Sequence, residues 1–489
     1  MILWVMAGLL FTPLAWAVLT LLTGFRHGRW ISWLGIVLQA LVSVGLWAFV
    51  TRDGGFYYPL GGWQSPLGIE LRVDGLAVTF VLLTAVVAGA CGWHASLYLD
   101  PEKPWHRYFW PLFWFLWAGL NVVWLGDDLF NLYVGLELIS LSAVGLVALG
   151  GQAGALRAAL RYLLAALLGS LFYLLGVALL YGQFGSLSLS GIAGLLESGD
   201  VESVPVVIMV LMLFGLAMKT ALFPLHKWLP PAHGIAKSPV SALLSALVVK
   251  ASFYIAARVW LETGHHMGGY ALGQLLGAHG GAAVIWGSWL AFRQEKLKQV
   301  VAYSSVAQIG YLFLLFPLTW NVSETISVQA QQGMTLQVIS HALAKSAMFL
   351  AAGNLILSVG SNRVDALAGV SRFLPFSLFS FGLAGVSLMG LPPSGGFAAK
   401  WLLLQASLAS GQWWWLAVLL FGGLLSAAYV FRVYRASFVE KTDVDEFYHP
   451  HRSLEVIPMI LALLSLGLGL VAEPVLSVMA ISFSEGGGL

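Results

Sequence analysis

Apolar runs of roughly 20 residues follow one another along almost the whole chain. A run of that length matches the ~30 Å hydrocarbon core of a bilayer at about 1.5 Å rise per residue. Inside a bilayer every backbone N–H and C=O must be paired internally, so only helices and closed barrels cross it. Barrel strands are shorter and alternate in polarity. The runs therefore predict an all-α polytopic membrane protein. The composition agrees: 59% of the 489 residues are hydrophobic and 9% are charged, which excludes a soluble multidomain chain.

The runs give fourteen spans, at 2–22, 30–50, 73–97, 107–126, 129–149, 159–181, 204–224, 238–260, 271–292, 300–317, 335–357, 374–410, 413–432 and 455–480, the twelfth interrupted. Charge placement tests this count. Loops after odd-numbered spans hold most of the 24 Lys and Arg residues, among them Arg29, Lys103, Arg157, Lys237, Arg293, Lys296, Lys298, Arg363, Arg435 and Lys441. The opposite side holds only Arg52, Arg72 and Arg258, and four lysines fall inside spans. Lys and Arg concentrate in cytoplasmic loops. Odd loops are thus expected to be cytoplasmic, with both termini on the outer side of a bacterial cytoplasmic (inner) membrane. The start, Met1-Ile2-Leu3-Trp4-Val5, lacks a positive region and a cleavage site, so span one is read as a retained helix. The loops are short. Thr51 to Val73, with Gly54-Gly55, Gly61-Gly62 and Pro66-Leu67-Gly68, predicts a turn-rich hairpin on the outer face. Loop 433–454 is charged and reads as solvated.

Two spans are broken. Pro224 cannot donate to the carbonyl of Thr220, beside Lys219. Pro392 and Pro393 leave the carbonyls of Leu388 and Met389 without helical donors, and Gly395-Gly396 follows. Interrupted helices at corresponding places in two halves point to a transport site built on inverted repeats. The expected division is helices one to three with the hairpin (1–106), a first five-helix repeat (107–260), a second (261–432), and a cytoplasmic loop with helix fourteen (433–489).

The charges inside the spans are the strongest functional signal. A charge at mid-bilayer costs about 2.5–3.5 kcal/mol on insertion scales and marks ion pathways. Here they are Lys219, Lys250, Lys345, Lys400 and one acid, Glu137. An acid and a lysine that meet in a bilayer hold each other's charge, and opening the pair moves a proton. His341 and Lys345, four apart, share a helix face, and histidine is a natural relay. His226 and His233, flanking Trp228-Leu229-Pro230-Pro231, either carry protons or cap a broken helix end. Asp127 and Asp128 either gather cations at an outer mouth or form a solvated turn, the turn being the commoner case. Glu455 and Glu473 lie near the ends of the last span and are expected at an interface. The bland alternative for a buried lysine is a side chain bonded to freed carbonyls or reaching for the surface. For five such groups, two beside breaks, a conduction path is the better account.

Other chemistries find little support. The lone Cys91, in an apolar run, builds neither a disulfide nor an iron–sulfur cluster. No HExxH and no GxxxxGK[ST] occurs. No cofactor, no metal and no nucleic-acid partner is expected.

The motifs carry a resemblance. Lys219-Thr-Ala-Leu-Phe-Pro-Leu-His226-Lys-Trp-Leu-Pro-Pro-Ala-His233, Ser238-Pro-Val-Ser-Ala-Leu-Leu-Ser245, Val248-Val-Lys250, Ala302-Tyr-Ser-Ser-Val-Ala-Gln-Ile-Gly-Tyr311, His341-Ala-Leu-Ala-Lys345 and Gly390-Leu-Pro-Pro-Ser-Gly-Gly-Phe-Ala-Ala-Lys400 stand in this order. Over nearly its whole length the chain resembles the antiporter-like subunits shared by respiratory complex I, membrane-bound hydrogenases and Mrp-type cation/proton antiporters. The resemblance implies an input pair of Glu137 and Lys219. It implies a central axis of Lys250 and His341 with Lys345, and an exit group at Lys400. It also implies other membrane subunits as partners, with protons and Na⁺ or K⁺ as the moving ions. Two departures stand on the basic loops: Lys237 before Ser238-Pro239, where the family has a small residue or proline, and Lys296-Leu-Lys-Gln299, where it has Asp-Leu-Lys-Arg. They imply an altered cytoplasmic interface. The chain ends soon after span fourteen, which sets it apart from the largest complex I member and nearer the Mrp D-type and related short members.

The expected function is therefore proton translocation within a multi-subunit complex, coupled first to cation/proton antiport. The alternatives are an inorganic-carbon uptake complex with a zinc-binding cytoplasmic partner, a redox-driven pump whose partners hold the redox groups, and a non-conducting scaffold. The chain itself is expected to be a transporter subunit, not an enzyme.

Overall fold

A computed structural model describes residues 2–65, 67–198, 205–440, 447–448 and 450–481. Pro66 of the hairpin, and Lys441 with most of the charged part of the 433–454 loop, lie outside the described residues. The helices, in chain order, are α1 (Ile2–Gly24), α2 (His27–Asp53), α3 (Gly75–Tyr98), α4 (His106–Leu125), α5 (Leu129–Ala148), α6 (Ala153–Phe184), α7 (Val206–Ile235), α8 (Ser238–Met267), α9 (Tyr270–Arg293), α10 (Leu297–Leu318) and α11 (Glu324–Val359). They continue as α12 (Pro375–Met389), α13 (Gly395–Ala409), α14 (Trp414–Ser437), α15 (Arg452–Gly467) and α16 (Ala472–Met479).

Among the described residues twelve helices are each long and apolar enough to cross a membrane. The pair α15 and α16, bent by 79°, makes thirteen. The one expected span left over, the interrupted twelfth, is the broken pair α12 and α13, of 15 residues each, neither of which reaches across alone. The chain is a multi-pass membrane protein.

Local sequence explains the punctuation. Gly24, at φ 71, takes the left-handed turn that separates α1 from α2. The Thr51–Val73 segment forms a two-stranded antiparallel hairpin, β1 (Phe56–Pro59) against β2 (Glu70–Val73), with Phe56 opposite Val73. Asp74 follows it and caps α3 by accepting from Ala77 N at 2.9 Å. Ser394 caps α13, accepting from Phe397 N at 3.2 Å.

Burial sorts the helices. In α1 and α2 only 28% of the apolar window is buried, so both turn a face outward. In α8 the whole window is buried, in α10 94% and in α11 83%. These three form the centre of the bundle and carry Lys250, Ser304, His341 and Lys345. Arg258, assigned from the sequence to an outer loop, lies inside α8 and is buried against Asp74.

Candidate functional site

Glu137 on α5 and Lys219 on α7 form an ion pair at 3.0 Å. The Lys219 ammonium also donates to Ser140, one turn along α5, at 2.9 Å, and Ser170 of α6 donates to Glu137. Glycines bring the helices this close. A Cβ on Gly215 of α7 would lie 2.3 Å from the Gly169 carbonyl of α6, so the backbones touch one turn before Lys219. Regular helix ends at Thr220, and Ala221 is left-handed at φ 61. The sequence places the free carbonyl at Thr220, but the break opens earlier. Leu222 N takes the carbonyl of Ala217 at 3.0 Å and the Trp228 indole takes that of Met218 at 3.0 Å. With those groups satisfied, Lys219 turns to Glu137 and not to its own helix end. Thr220 bonds Ser252 at 2.9 Å and ties the break to α8.

The middle of the array lies among α8, α10 and α11. Residues 244–248 form a turn of π-helix, and Lys250 donates to the carbonyl of Ser245 within it. Lys345 donates to the Val301 carbonyl at 2.9 Å and to Ser304. His341 is buried with neither ring nitrogen bonded to protein, and it lies in the electrostatic field of Lys250 and Lys345.

At the far end Lys400 of α13 donates to the carbonyls of Leu388 at 2.8 Å and Met389 at 3.0 Å. These are the two acceptors that Pro392 and Pro393 leave without helical donors. The ammonium lies 4.6 Å from the centre of the Tyr311 ring. Gln308 of α10, one turn beyond Ser304, also donates to the Leu388 carbonyl at 3.0 Å and accepts from Gln337 at 3.0 Å. Gln308 thus stands between the Lys345 and Lys400 neighbourhoods.

The accessory residues fall differently. His233 is buried, with both ring nitrogens unbonded, and stacks on Phe349. It lies in the field of Lys298, Lys345 and Lys250. His226 stacks on Phe223 and leaves Nδ1 unbonded. Neither caps a helix end through its ring. Asp127 is not a solvated turn: it is buried, and Oδ2 accepts from the hydroxyls of Ser188 and Ser190, both at 2.7 Å. Asp128 caps α5 by accepting from Asn131 N at 2.6 Å. Of the departures on the basic loops, Lys296 is exposed; Lys298, where the family also has lysine, is buried and donates to the carbonyl of Ala236. Burial, and then the neighbouring Lys103, push Lys237 below the usual lysine range.

Sequence reasoning missed the neutral partners: Ser140, Ser170, Ser304, Gln308, Gln337 and Tyr311. Ser304, Gln308 and Tyr311 all lie in the Ala302–Tyr311 stretch, at spacings of three and four that share a helix face. Among the described residues no group of three or more His, Cys, Asp or Glu side chains is placed to hold a metal ion. Chemically the arrangement is a sequence of buried proton donors and acceptors: one ion pair, then lysines held by carbonyls and hydroxyls.

Residues 126–426 match the family described as NADH:quinone oxidoreductase/Mrp antiporter, TM. The NADH-quinone oxidoreductase subunit N of Desulforudis audaxviator is 37% identical over 414 residues, 83% of this chain and 81% of that one. The D-type subunit of the Na(+)/H(+) antiporter of Alkalihalophilus pseudofirmus is 30% identical over 453 residues, 91% and 89% of the two chains. Among solved structures, a chain of the membrane-bound sulfane sulfur reductase, an archaeal respiratory membrane complex, superposes with a TM-score of 0.88 at 28% identity, covering 97% of this chain and 96% of that one. With the family's own region taking in more than half of the sequence, and with relatives at 37% and 30% identity matched over 81% and 89% of their length, the chain belongs to the NADH:quinone oxidoreductase/Mrp antiporter transmembrane family.

Proposed function

We propose that this chain conducts protons across the membrane as one subunit of a hetero-oligomeric complex. The path runs from Glu137 and Lys219 through Lys250 and His341 with Lys345 to Lys400. The observation that carries this reading is the 3.0 Å ion pair between Glu137 and Lys219, set between helices that cross the bilayer. Two unit charges about 4 Å apart interact by ~4 kcal/mol at an effective dielectric near 20. Opening such a pair is a large enough change to load or release a proton, and closing it restores both charges. Lysines held by carbonyls and hydroxyls then pass the proton along the centre of the bundle.

Coupling to cation/proton antiport is supported by the relatives named as D-type subunits of Na(+)/H(+) antiporters. The 37% identity to a NADH-quinone oxidoreductase subunit N favours a second reading, in which the chain is the conduit of a redox-driven complex and redox chemistry lies in partner subunits. Partner identification after purification in mild detergent separates the two, as does salt-sensitive growth on deletion, which belongs to antiport alone.

Two further readings accompany this one. Helices α4–α8 and α9–α14 are inverted repeats, with units at 107–260 and 261–432 between flanking segments 1–106 and 433–489. Besides the two breaks, a shared crossing supports this: Gly119 of α4 packs on Gly135 of α5, and Gly280 of α9 packs on Gly310 of α10. The basic loops face the cytoplasm, which puts both termini outside a bacterial inner membrane.

The test is Glu137→Ala and Lys219→Ala in the assembled complex. Each is expected to abolish proton-coupled transport without loss of the complex. Wild-type transport in both variants overturns the reading.

A further inference from the structure

A second file of buried polar side chains lies at the basic-loop end of the bundle, on helices α3, α11, α12 and α15. It begins at Glu455 in the first turn of α15. Glu455 was expected at an interface, but it is buried at 9% exposure and lines a cavity of about 810 Å³ together with Arg372, Arg452 and Phe376. Its Oε2 accepts from the backbone N of Ser377 at 3.0 Å and from the Ser377 hydroxyl at 3.1 Å. Asn354 of α11 donates through Nδ2 to the Leu454 carbonyl at 2.8 Å and to the Ser377 hydroxyl at 3.3 Å. Its Oδ1 faces His94 Nε2 of α3 at 3.0 Å.

This chain of partners fixes which nitrogen of His94 donates to Asn354. A backbone carbonyl only accepts, so the atom of Asn354 that meets Leu454 is the amide nitrogen. The amide oxygen therefore faces the imidazole, and Nε2 must carry the hydrogen. In the neutral ring Nδ1 is then a bare acceptor. His94 is fully buried and Nδ1 has no partner. A buried acceptor without a donor is unfavourable. A cap for α12 would need only Glu455 and Ser377; it would not need an asparagine and an imidazole behind them. Tyr98 lies beside His94, with ring centres 5.3 Å apart, and reaches Ser238 at the start of α8.

We propose that His94 is an additional proton-carrying group of the transport reaction, and that Asn354, Ser377 and Glu455 are positioning residues that orient it and balance its charge. This rests on the proton-conducting reading above. Nδ1 takes up one proton to give an imidazolium that keeps its Nε2–H bond to Asn354. The balancing negative charge sits on Glu455, two hydrogen-bonded side chains away. The Nδ1–H bond forms as an O–H bond of a hydronium ion breaks and leaves water, and the reverse transfer to water restores the neutral ring with its hydrogen on Nε2.

The experiment is proton transport by the intact complex in vesicles, followed by quenching of an acridine dye, with complex yield and thermal stability measured alongside. His94→Gln keeps an N–H for Asn354 but removes the titrating ring, and is expected to slow transport by ~100-fold. Glu455→Gln keeps both bonds from Ser377 but removes the charge, and is expected to slow it about tenfold, or ~1.4 kcal/mol in the barrier. Stability stays at the wild-type value in both, which a purely capping role would predict together with wild-type rates. Wild-type rates in both variants, with Glu137→Gln inactive, overturn the role of His94 and leave the main path standing. Wild-type rates in all three overturn the main path itself. If His94→Gln fails to assemble, Glu455→Gln decides alone: a wild-type rate overturns the proposal.

Discussion

Arg258 of α8 donates to Asp74 at 2.6 Å, closing a bond between residues 184 positions apart. Asp74 also accepts from Arg72 at 3.1 Å, and Arg72 pairs with Glu262 at 2.6 Å. The hairpin, the start of α3 and the end of α8 are thus locked together at one end of the molecule. Burial pushes the Asp74 carboxyl up, but Arg258, Arg72 and the Ala77 N–H outweigh it and bring it down to about 2. The ordinary value is 3.8, so between those two values the unfolded chain binds the extra proton. The stabilisation, about 2–3 kcal/mol, is complete above roughly pH 4 and is lost as pH falls toward 2. Thermal unfolding at pH 6 and at pH 3 should show a larger drop for the wild type than for Asp74→Asn. At pH 6 that variant, with Arg258 left unpaired, should be less stable by about 3–5 kcal/mol.

Gly215→Ala should be felt at Lys219. The added Cβ would sit 2.3 Å from the Gly169 carbonyl and 2.7 Å from Tyr173 N, both backbone atoms that cannot swing away. Helices α6 and α7 must separate, at a cost of about 1–3 kcal/mol. One turn on, the Glu137–Lys219 bond lengthens. The expected outcome is a lower melting temperature together with a transport defect, in a variant that removes no ionisable group.

Gln308→Met keeps side-chain length but removes the donor to the Leu388 carbonyl and the acceptor for Gln337. Leu388 retains Lys400 as a partner, so the fold should hold. Transport is expected to fall about tenfold, because the polar link between the Lys345 and Lys400 neighbourhoods is gone. A rate equal to wild type would remove Gln308 from the path.

Lys400→Leu should cost stability as well as transport. The Met389 carbonyl has Lys400 as its side-chain donor, and an orphaned buried acceptor costs about 1–3 kcal/mol. Thermal unfolding of this variant should therefore show a deficit relative to the wild type alongside the loss of transport.

The legible parts of this protein are those with a large energetic signature. Apolar runs set out the helices, because nothing else satisfies a backbone in a bilayer. The acceptors of Lys400 follow from two prolines, since a missing N–H names the carbonyl it would have served. Three things escaped. Asp127 looks like turn punctuation until the chain returns with Ser188 and Ser190, some 60 residues later. Glu455 sits within a turn of a helix start, where an acid is ordinarily solvated, and only the packing of α12 over it buries it. Gln308 carries no charge, so placing it in a membrane raises no alarm, although its amide reaches two other helices. The first break was legible only in part. The backbone turns left-handed at Ala221, three residues before the proline, and the Met218 carbonyl takes an outside donor, the Trp228 indole.

The seat of Lys400 has one more property, which concerns hydrogen counting. An ammonium carries three hydrogens and a neutral amine two. Two carbonyls receive bonds from Nζ, at 2.8 and 3.0 Å. The amine therefore retains enough hydrogens to satisfy both after a proton has left. What weakens on neutralisation is the attraction to the Tyr311 ring, which stabilises cations only. Charge can come and go at this lysine while the broken helix stays closed, so the group changes its electrostatic state without first having to unseat itself.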